Sequence, residues 1–551
     1  MKNKKHCTMN DTSHKAQNDQ QEKREGISRR NFLASTAAVG AFTILPRHVL
    51  GLGQIAPSDK ITLAHIGCGT QGHNELGPLV NCPDLQIVAV CDPETDGRNY
   101  VDFGMGSSTG GIPSRVIENI RGIVDDPNWR AGINYIPGGR MVMKEVIETF
   151  YAKKRATDKF KGVTAYNDFR ELLEKEDIDA VKIMTPDHLH ATIAVQAMRK
   201  GKHVIVHKPL ANRMYESNLV IRTAREKNVA TYFMPYNSYR SVELIKTWIN
   251  DGAIGTLREI HNWTNRPVWP QYQELPTDTP PIPEGFDWDL WLGPCTDRPY
   301  HPNYTHCVFR GWYDFGGGSM ADMGHYSLWT ICDGFDLDVP VFAEAYGSHA
   351  CKIVNGNTST TIVNDYSFPL AATMRFHYNA KGSRGPLDLF WYDGGMRPSS
   401  IPELDEDNRT APSSGMLFIG DKGKILDGRI IPESKMKAYP GQQPEPQQQR
   451  TPPTGGTAAG GQAGAPPAQR TFSIGSLPPG FDKWIEACRG GSKDTPGNFI
   501  SAESLSTMVN LGYVALRAGR KIEYDPIKVE ITNYPEANQY LTREYRKGWE
   551  L

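Results

Sequence analysis

The sequence predicts an α/β chain in two parts: a doubly wound parallel sheet, then an α+β domain whose sheet is open and mostly antiparallel. Three observations carry that prediction. Between residues 60 and 234 short, unbroken apolar runs alternate with helical segments, the pattern of strands buried on both faces. After Leu257 the period becomes strand-like, with a Pro-rich aromatic loop at 266–315 between the first such run and the rest. The chain has 551 residues, more than one such domain requires. Composition narrows the function classes. Lys and Arg total 61 against 62 Asp and Glu, so no global field grips nucleic acid. With 39% hydrophobic and 10% aromatic residues the chain is not wholly disordered, and no apolar run reaches the roughly 20 residues of a membrane span. Nine cysteines without a CxxC indicate neither a disulfide framework nor a zinc site, and no metal is expected.

The first 27 residues are polar. They lead into Ser28-Arg29-Arg30-Asn31-Phe32-Leu33 and a small-residue apolar stretch from Ala34 to Leu45. A charged segment before an apolar one too short to span a bilayer is an export peptide, and its paired arginines look like a twin-arginine signal. The expectation is therefore an exported, periplasmic protein that meets the twin-arginine machinery and keeps no membrane span in its mature form.

Ile61 to Ile66 reads as a buried strand, Gly67-Cys68-Gly69-Thr70-Gln71-Gly72 turns it into a helix near His73, and Leu85 to Cys91 is a second strand ending at Asp92. GxGxxG alone is a weak signal. Placed between strand and helix, with an acid 20 positions after its last glycine, it is a Rossmann dinucleotide fingerprint. Gly67 serves the tight turn, Gly69 the approach of a pyrophosphate, and Gly72 close helix packing. Asp92 can accept from ribose hydroxyls and repels a 2′-phosphate, which favours NAD over NADP, although Arg98 nearby could offset it.

Residues 98–160 interrupt the alternation as a surface excursion, with a Gly-rich piece from Gly104 to Gly111 and one helix from Met141 to Lys154. The pattern resumes with strand Ala180–Met184, a turn at Thr185-Pro186-Asp187, a helix from His188 to Lys200, strand His203–Val206, then His207-Lys208-Pro209, another helix and a last strand, Ala230–Met234. In the second half, strands are expected at Leu257–Thr264, Val341–Tyr346, Ser359–Phe368, Ala371–His377 and Met416–Ile419. Helices follow at 480–488 and 502–519. The Pro/Gln/Gly/Ala stretch 438–470 reads as a low-complexity linker. The resulting organisation is a leader (1–55), a Rossmann domain (56–236), a substrate and oligomerisation domain (237–437 and 471–530), and a C-terminal tail (531–551).

Seven ordered segments between about residues 60 and 525 resemble the Gfo/Idh/MocA oxidoreductases: the GCGTQG turn, TPDHLH at 185–190, VIVHKPL at 204–210, WDLWLGP at 288–294, FGGGSMADMGH at 315–325, LFIGDKGKIL at 417–426 and NLGYVALRAGRKIEYD at 510–525. The resemblance implies an NAD(P)-dependent enzyme acting on a sugar, sugar alcohol or related polyol, and a homo-oligomer. It also implies roles. The family's E-K-P lysine beside the nicotinamide matches Lys208, with His207 where the family has glutamate. T-P-N-x-x-H matches Thr185, Pro186, Asp187 and His190 near the cofactor, with Asp187 replacing asparagine.

The third motif departs. The family places His four residues after an Asp on one helix face, whereas here His325 lies three after Asp322 and Tyr326 four after. Both positions neighbour Asp322 on an α-helix, so either side chain could be the acid–base group that Asp322 orients. Histidine has the better-suited pKa, while tyrosine needs a nearby cation such as Lys208. Asp322 could equally serve a capping-box-like helix start at Ser319. Trp263, Trp269, Trp288, Trp291, Trp312 and Tyr313 precede or flank the glycine triplet as candidate sugar platforms, with Arg310 and His306 as candidate orienting groups.

Three functions fit these residues. The first is a dehydrogenase on CH–OH donors in which Lys208, with His325 or Tyr326, removes the hydroxyl proton. The second is an NAD-dependent glycosidase or lyase that oxidises C3 transiently, eliminates, and returns its hydride from tightly held NAD. The third is an NAD-binding protein with a decayed site.

Overall fold

A computed structural model describes residues 59–100, 114–133, 135–154, 160–233, 242–266, 271, 274–441 and 476–551. The export segment, the Gly104–Gly111 piece, Trp269 and nearly all of the low-complexity linker lie outside these residues.

Six strands form the first sheet: β1 (Ile61–Ile66), β2 (Leu85–Cys91), β5 (Thr164–Tyr166), β6 (Ala180–Ile183), β7 (His203–Val206) and β8 (Thr231–Phe233), while β3 (Gly97–Tyr100) and β4 (Ile136–Gly138) make a separate antiparallel pair. The sheet order is β5-β2-β1-β6-β7-β8 and every neighbour pair is parallel. This order reverses direction between β1 and β6, which creates the crevice where ligands of open α/β sheets bind. The strands are mostly apolar because helices cover both faces. Leu63, Ile87, Val181, Ile205 and Tyr232 are wholly buried. Asp168 caps the helix Phe169–Lys175, its side chain accepting from the Arg170 N–H at 2.8 Å.

The excursion after β2 contains more than the one helix expected. A helix at Ser114–Val124 precedes Arg140–Lys154, and the latter packs on β2 and β5 as the sheet's own crossover helix. The insertion therefore occupies residues 95–139, directly between Asp92 and that helix.

The second sheet has nine strands: β9 (Leu257–Trp263), β10 (Phe342–Gly347), β13 (Ala372–Tyr378), β14 (Leu387–Tyr392), β15 (Gly415–Gly420), β16 (Lys424–Leu426), β17 (Arg429–Ile431), β18 (Ile522–Asp525) and β19 (Glu530–Ile531). Its order is β17-β16-β15-β9-β14-β13-β10-β18-β19. Neighbours are antiparallel except β9 and β14, which run parallel. Alternation along β13 buries Ala372, Met374, Phe376 and Tyr378 on one face. Helix Glu503–Ala518 covers that face, placing Leu505, Met508 and Leu511 in the same core. The predicted strand 359–368 shortens to β12 (Thr358–Thr361), which pairs with β11 (Cys351–Val354) in a small separate hairpin.

The C-terminal part departs from the expected boundaries. Phe481 and Trp484 pack into the first domain's core, with Phe481 edge-on to Tyr232 at 5.3 Å. The Phe233 N–H donates to Gly497 O at 2.6 Å, continuing the edge of β8. Nor is 531–551 a loose tail. Arg543 is buried against Glu216 at 2.6 Å, and Trp549 packs on Phe169. The chain thus crosses back over the dinucleotide domain twice after building most of the second sheet. Short-range periodicity carries no signal for such a return.

Candidate active site

The glycine turn has the predicted construction. Gly67 adopts φ +97°, and a Cβ there would lie 2.5 Å from the Met184 carbonyl carbon. A Cβ on Gly72 would meet Gly67 O at 2.6 Å, so this glycine seats the helix on the strand. The helix begins at Thr70 and breaks at Glu75 before resuming over Leu76–Asn81. Asp92, at the carboxyl end of β2, accepts from the Cys68 N–H at 2.6 Å and the Glu94 N–H at 2.8 Å. Burial pushes its carboxyl up to about 6 despite those donors. A positive-φ turn and a buried acid tied to it suit the ribose and phosphate groups of a dinucleotide. The ring of Tyr100, from β3, packs over Gly69, where a Cβ would lie 2.9 Å from its Cε1, so this insertion residue walls the turn. His306, reaching in from the second half, packs its ring on Tyr100 at 4.1 Å, tilted by 44°, and meets Asn99 Oδ1 at 2.7 Å.

Lys208 follows β7 and is 2% exposed. Its Nζ is in direct contact with Asp322 Oδ1 and lies 5.2 Å from the centroid of the Tyr326 ring. Burial, with Arg310 alongside, pulls the amine well below the usual lysine range. The Asp322 carboxylate lies where it can accept a hydrogen bond from this amine. The strand end and the second domain's helix thus bring together three of the four predicted catalytic side chains.

The fourth is placed differently. Met320–Gly324 is a π-helical turn and the α-helix begins only at His325. The expected α-helical neighbourhood of Asp322 is therefore absent, and its carboxylate faces Lys208 instead. His325 turns its Nδ1 to Ala321 O at 2.8 Å and its ring edge-on to Phe233, and it is 2% exposed. Burial and the Lys208 charge lower it to about 3, so it is a neutral imidazole packed in the interior. The capping alternative is not realised either, because Ser319 makes no side-chain cap bond.

The TPDHLH turn works as a joint. Asp187 is fully buried and accepts from Arg310 Nη1 at 2.9 and 3.1 Å and from the Gly317 N–H at 3.1 Å. Its carboxylate is thereby committed to the second half of the chain rather than to a cofactor. His190 sits between Pro209 O at 2.6 Å and Thr185 O at 2.9 Å, tying Thr185-Pro186 to the segment after Lys208. Arg310, a minor candidate in the sequence, emerges as central, with its Nε 3.9 Å from Asp322. Trp288, Trp291, Trp312, Tyr304 and Phe315 form a buried aromatic cluster of their own, and Trp263 is 1% exposed, so these rings are core rather than sugar platforms.

The missed residues are Glu75 and Lys182. His207 Nε2 lies 3.2 Å from Glu75 Oε1, and the Lys182 Nζ donates to Glu75 Oε2 at 2.7 Å. A lysine inside an otherwise apolar parallel strand was the available signal.

Two family models match the chain. Residues 139–235 match the NAD-binding Rossmann fold of the Gfo/Idh/MocA oxidoreductase family, and 241–345 with 485–551 match that family's C-terminal alpha/beta domain. The chain belongs to this family. Levoglucosan dehydrogenase of Pseudarthrobacter phenanthrenivorans is 38% identical over 104 residues, 18% of this chain and 26% of that protein. An alpha-N-acetylgalactosaminidase of Shewanella oneidensis is 24% identical over 251 residues, 42% and 44% of the two chains. The matches thus span less than half of either relative. The WlbA dehydrogenase of Bordetella pertussis, solved with NADH and UDP-GlcNAcA, aligns with a TM-score of 0.44 at 14% identity, covering 85% of this chain and 99% of that one. The first family match begins at Gly139, so the glycine turn and Asp92 precede it, separated by the insertion.

Proposed function

We propose that this chain is an NAD-dependent oxidoreductase that acts on a carbinol of a sugar, sugar alcohol or related polyol. The observation that carries this reading is the buried contact between Lys208 and Asp322, at the carboxyl end of β7 and beside Tyr326. NAD bound at the glycine turn supplies the hydride acceptor. Asp92 accepts from its ribose hydroxyls. Lys208, held below its ordinary pKa, takes the substrate hydroxyl proton at Nζ, and the Asp322 carboxylate stabilises the resulting ammonium. Arg310 approaches the same Asp322 oxygen as Lys208 and fixes the domain joint through Asp187.

The twin-arginine pattern supports export to the periplasm, where free NAD is not replenished; the cofactor is then held tightly and loaded before export. The homo-oligomer implied by the family resemblance belongs to the same proposal. The test is a panel of sugars and polyols with NAD⁺, read as NADH absorbance, for wild type and Lys208→Met. Substrate-dependent NADH that falls at least about a hundredfold in the variant is expected. Equal turnover in the two proteins would sink the assignment.

The similarity to an alpha-N-acetylgalactosaminidase favours one second reading, a redox-neutral glycosidase with retained NAD. Aglycone release from an aryl α-N-acetylgalactosaminide without net NADH would establish it. An intact, buried Lys208–Asp322 pair argues against a decayed site.

A further inference from the structure

Lys182 occupies the middle of β6, a strand otherwise made of Ala180, Val181 and Ile183, and is 2% exposed. A buried charge is costly unless paired, and a buried ion pair is often no better for stability than apolar residues of similar size. Its partner, Glu75, stands at the break between two short helices, with φ −101° and ψ 1°. The Glu75 carboxylate gathers three elements. Gln71, in the glycine turn, donates its Nε2 to Oε1 at 2.9 Å. Lys182 donates to Oε2 from the sheet, and His207 meets Oε1 from the end of β7. The next residue is Lys208.

The charge states follow from the surroundings. Burial alone would raise the Glu75 carboxyl, but Lys182 and His207 hold it well below the usual carboxylate range. Burial lowers His207 to about 4 against the pull of Glu75, with Lys208 and Arg310 also opposing its protonation. His207 is thus a neutral imidazole facing an ionised carboxylate, and its Nε2 must carry the proton. The Glu75 carboxylate orients this neutral ring through Nε2, and the backbone that carries the ring leads into the lysine.

We propose that Glu75 is a positioning residue for Lys208, holding His207 through Nε2 and so fixing the strand end from which Lys208 meets Asp322, while Gln71 ties the same carboxylate to the glycine turn. The proposal rests on Lys208 as the proton-transfer group. It goes beyond that reading because it adds a residue that acts on Lys208 through His207, the Glu75 charge also favouring the Lys208 ammonium.

The decisive variant is Glu75→Leu with Lys182→Met, which removes the ion pair as a unit and leaves no orphan charge. The expected protein melts within a few degrees of wild type and binds NADH within about threefold of it. Its kcat falls about tenfold or more while KM changes less than about threefold, because the loss is one of orientation. A double variant with wild-type kcat overturns the proposal. Should the double variant not fold, His207→Gln and His207→Leu decide: glutamine can still donate to Glu75 and keeps the rate, whereas leucine loses it. Equal rates in those two also overturn it. A substrate-free readout separates this proposal from the oxidoreductase reading. In protein labelled with ¹⁵N-histidine, with His207 assigned from His207→Gln, the wild-type ring is expected in the Nε2–H form near neutral pH. An Nδ1–H ring refutes the role of Glu75 whatever the substrate proves to be. An Nε2–H ring in a protein that oxidises no sugar fails only the oxidoreductase reading.

Discussion

The carboxylate of Asp187 and the guanidinium of Arg310 meet at 2.9 and 3.1 Å although 123 residues separate them, and Asp187 is fully buried. Arg310 also approaches Asp322 at 3.9 Å, so one cation serves both the joint between the two halves and the ion pair of the candidate active site. Arg310→Met therefore leaves Asp187 facing a single backbone donor, Gly317 N–H. Loss of one partner of a buried pair costs about 3 kcal/mol or more. A matching drop in urea stability is expected for Arg310→Met. Asp187→Leu with Arg310→Met should lose less than the single variant, since no charge is orphaned.

Asp92 makes cofactor affinity depend on pH. Its carboxyl is raised to about 6 by burial, against an ordinary value of 3.8. Above pH 6 the group is ionised and accepts from ribose hydroxyls; below it, the protonated form is the poorer acceptor. NADH affinity, followed by fluorescence, should weaken between pH 7.5 and 5 in wild type. Asp92→Asn should bind about tenfold more weakly at pH 7.5, by the loss of charge-assisted hydrogen bonds, and show no such slope. A slope of equal size in the variant would place the titrating group elsewhere.

The parallel sheet, the glycine turn and Lys208 were legible because each is set by short-range pattern: apolar runs, glycines at fixed spacing, and a residue directly after a strand. The π-helical turn at Met320–Gly324 was not, because a phase slip confined to five residues is too short to stand out as a period. That turn decides which neighbour Asp322 faces. The aromatic loop misled for a related reason. Trp288 and Trp312 have the composition of a sugar platform, yet their indole N–H groups donate to the Arg298 and Asn303 carbonyls at 2.7 and 2.6 Å, as in a core. Asp187 was found by motif but given the wrong neighbour, since its partner arginine lies far away in sequence.

The returning C-terminal segment should behave as part of the first domain. Arg543, 6% exposed, bonds Glu216, which is wholly inaccessible, and also donates to Asp314 O at 3.1 Å. Tyr545 donates to the same Glu216 at 3.1 Å. A chain ending at Tyr540 strands that carboxylate without its buried cation. Removing residues 541–551 should cost about 3 to 5 kcal/mol and make the helix Met214–Lys227 exchange its amide hydrogens early. Glu216→Gln in the full chain should be milder, because its amide still accepts from Arg543. Amide exchange in that helix unchanged by truncation would show the strap to be dispensable.

The two acid–base candidates after Asp322 can be separated by what each removal disturbs. Tyr326 has its ring 5.2 Å from the Lys208 Nζ, so its hydroxyl belongs to the same charged neighbourhood. His325 has its Nδ1 engaged by Ala321 O and its ring against Phe233, and with its pKa lowered to about 3 it does not change charge above pH 5. Tyr326→Phe should therefore reduce kcat about tenfold to a hundredfold with little change in melting temperature. His325→Gln should do the reverse. It leaves a poorly filled, polar site beside Phe233 and lowers stability by about 1 to 3 kcal/mol, while kcat at a permissive temperature stays within about threefold of wild type. The pH–rate profile adds an independent check: its limbs should survive His325→Gln unchanged, since no group titrating between pH 5 and 9 has been removed. A limb that vanishes with His325 would return the acid–base role to the histidine and require the helical turn to rearrange when substrate binds.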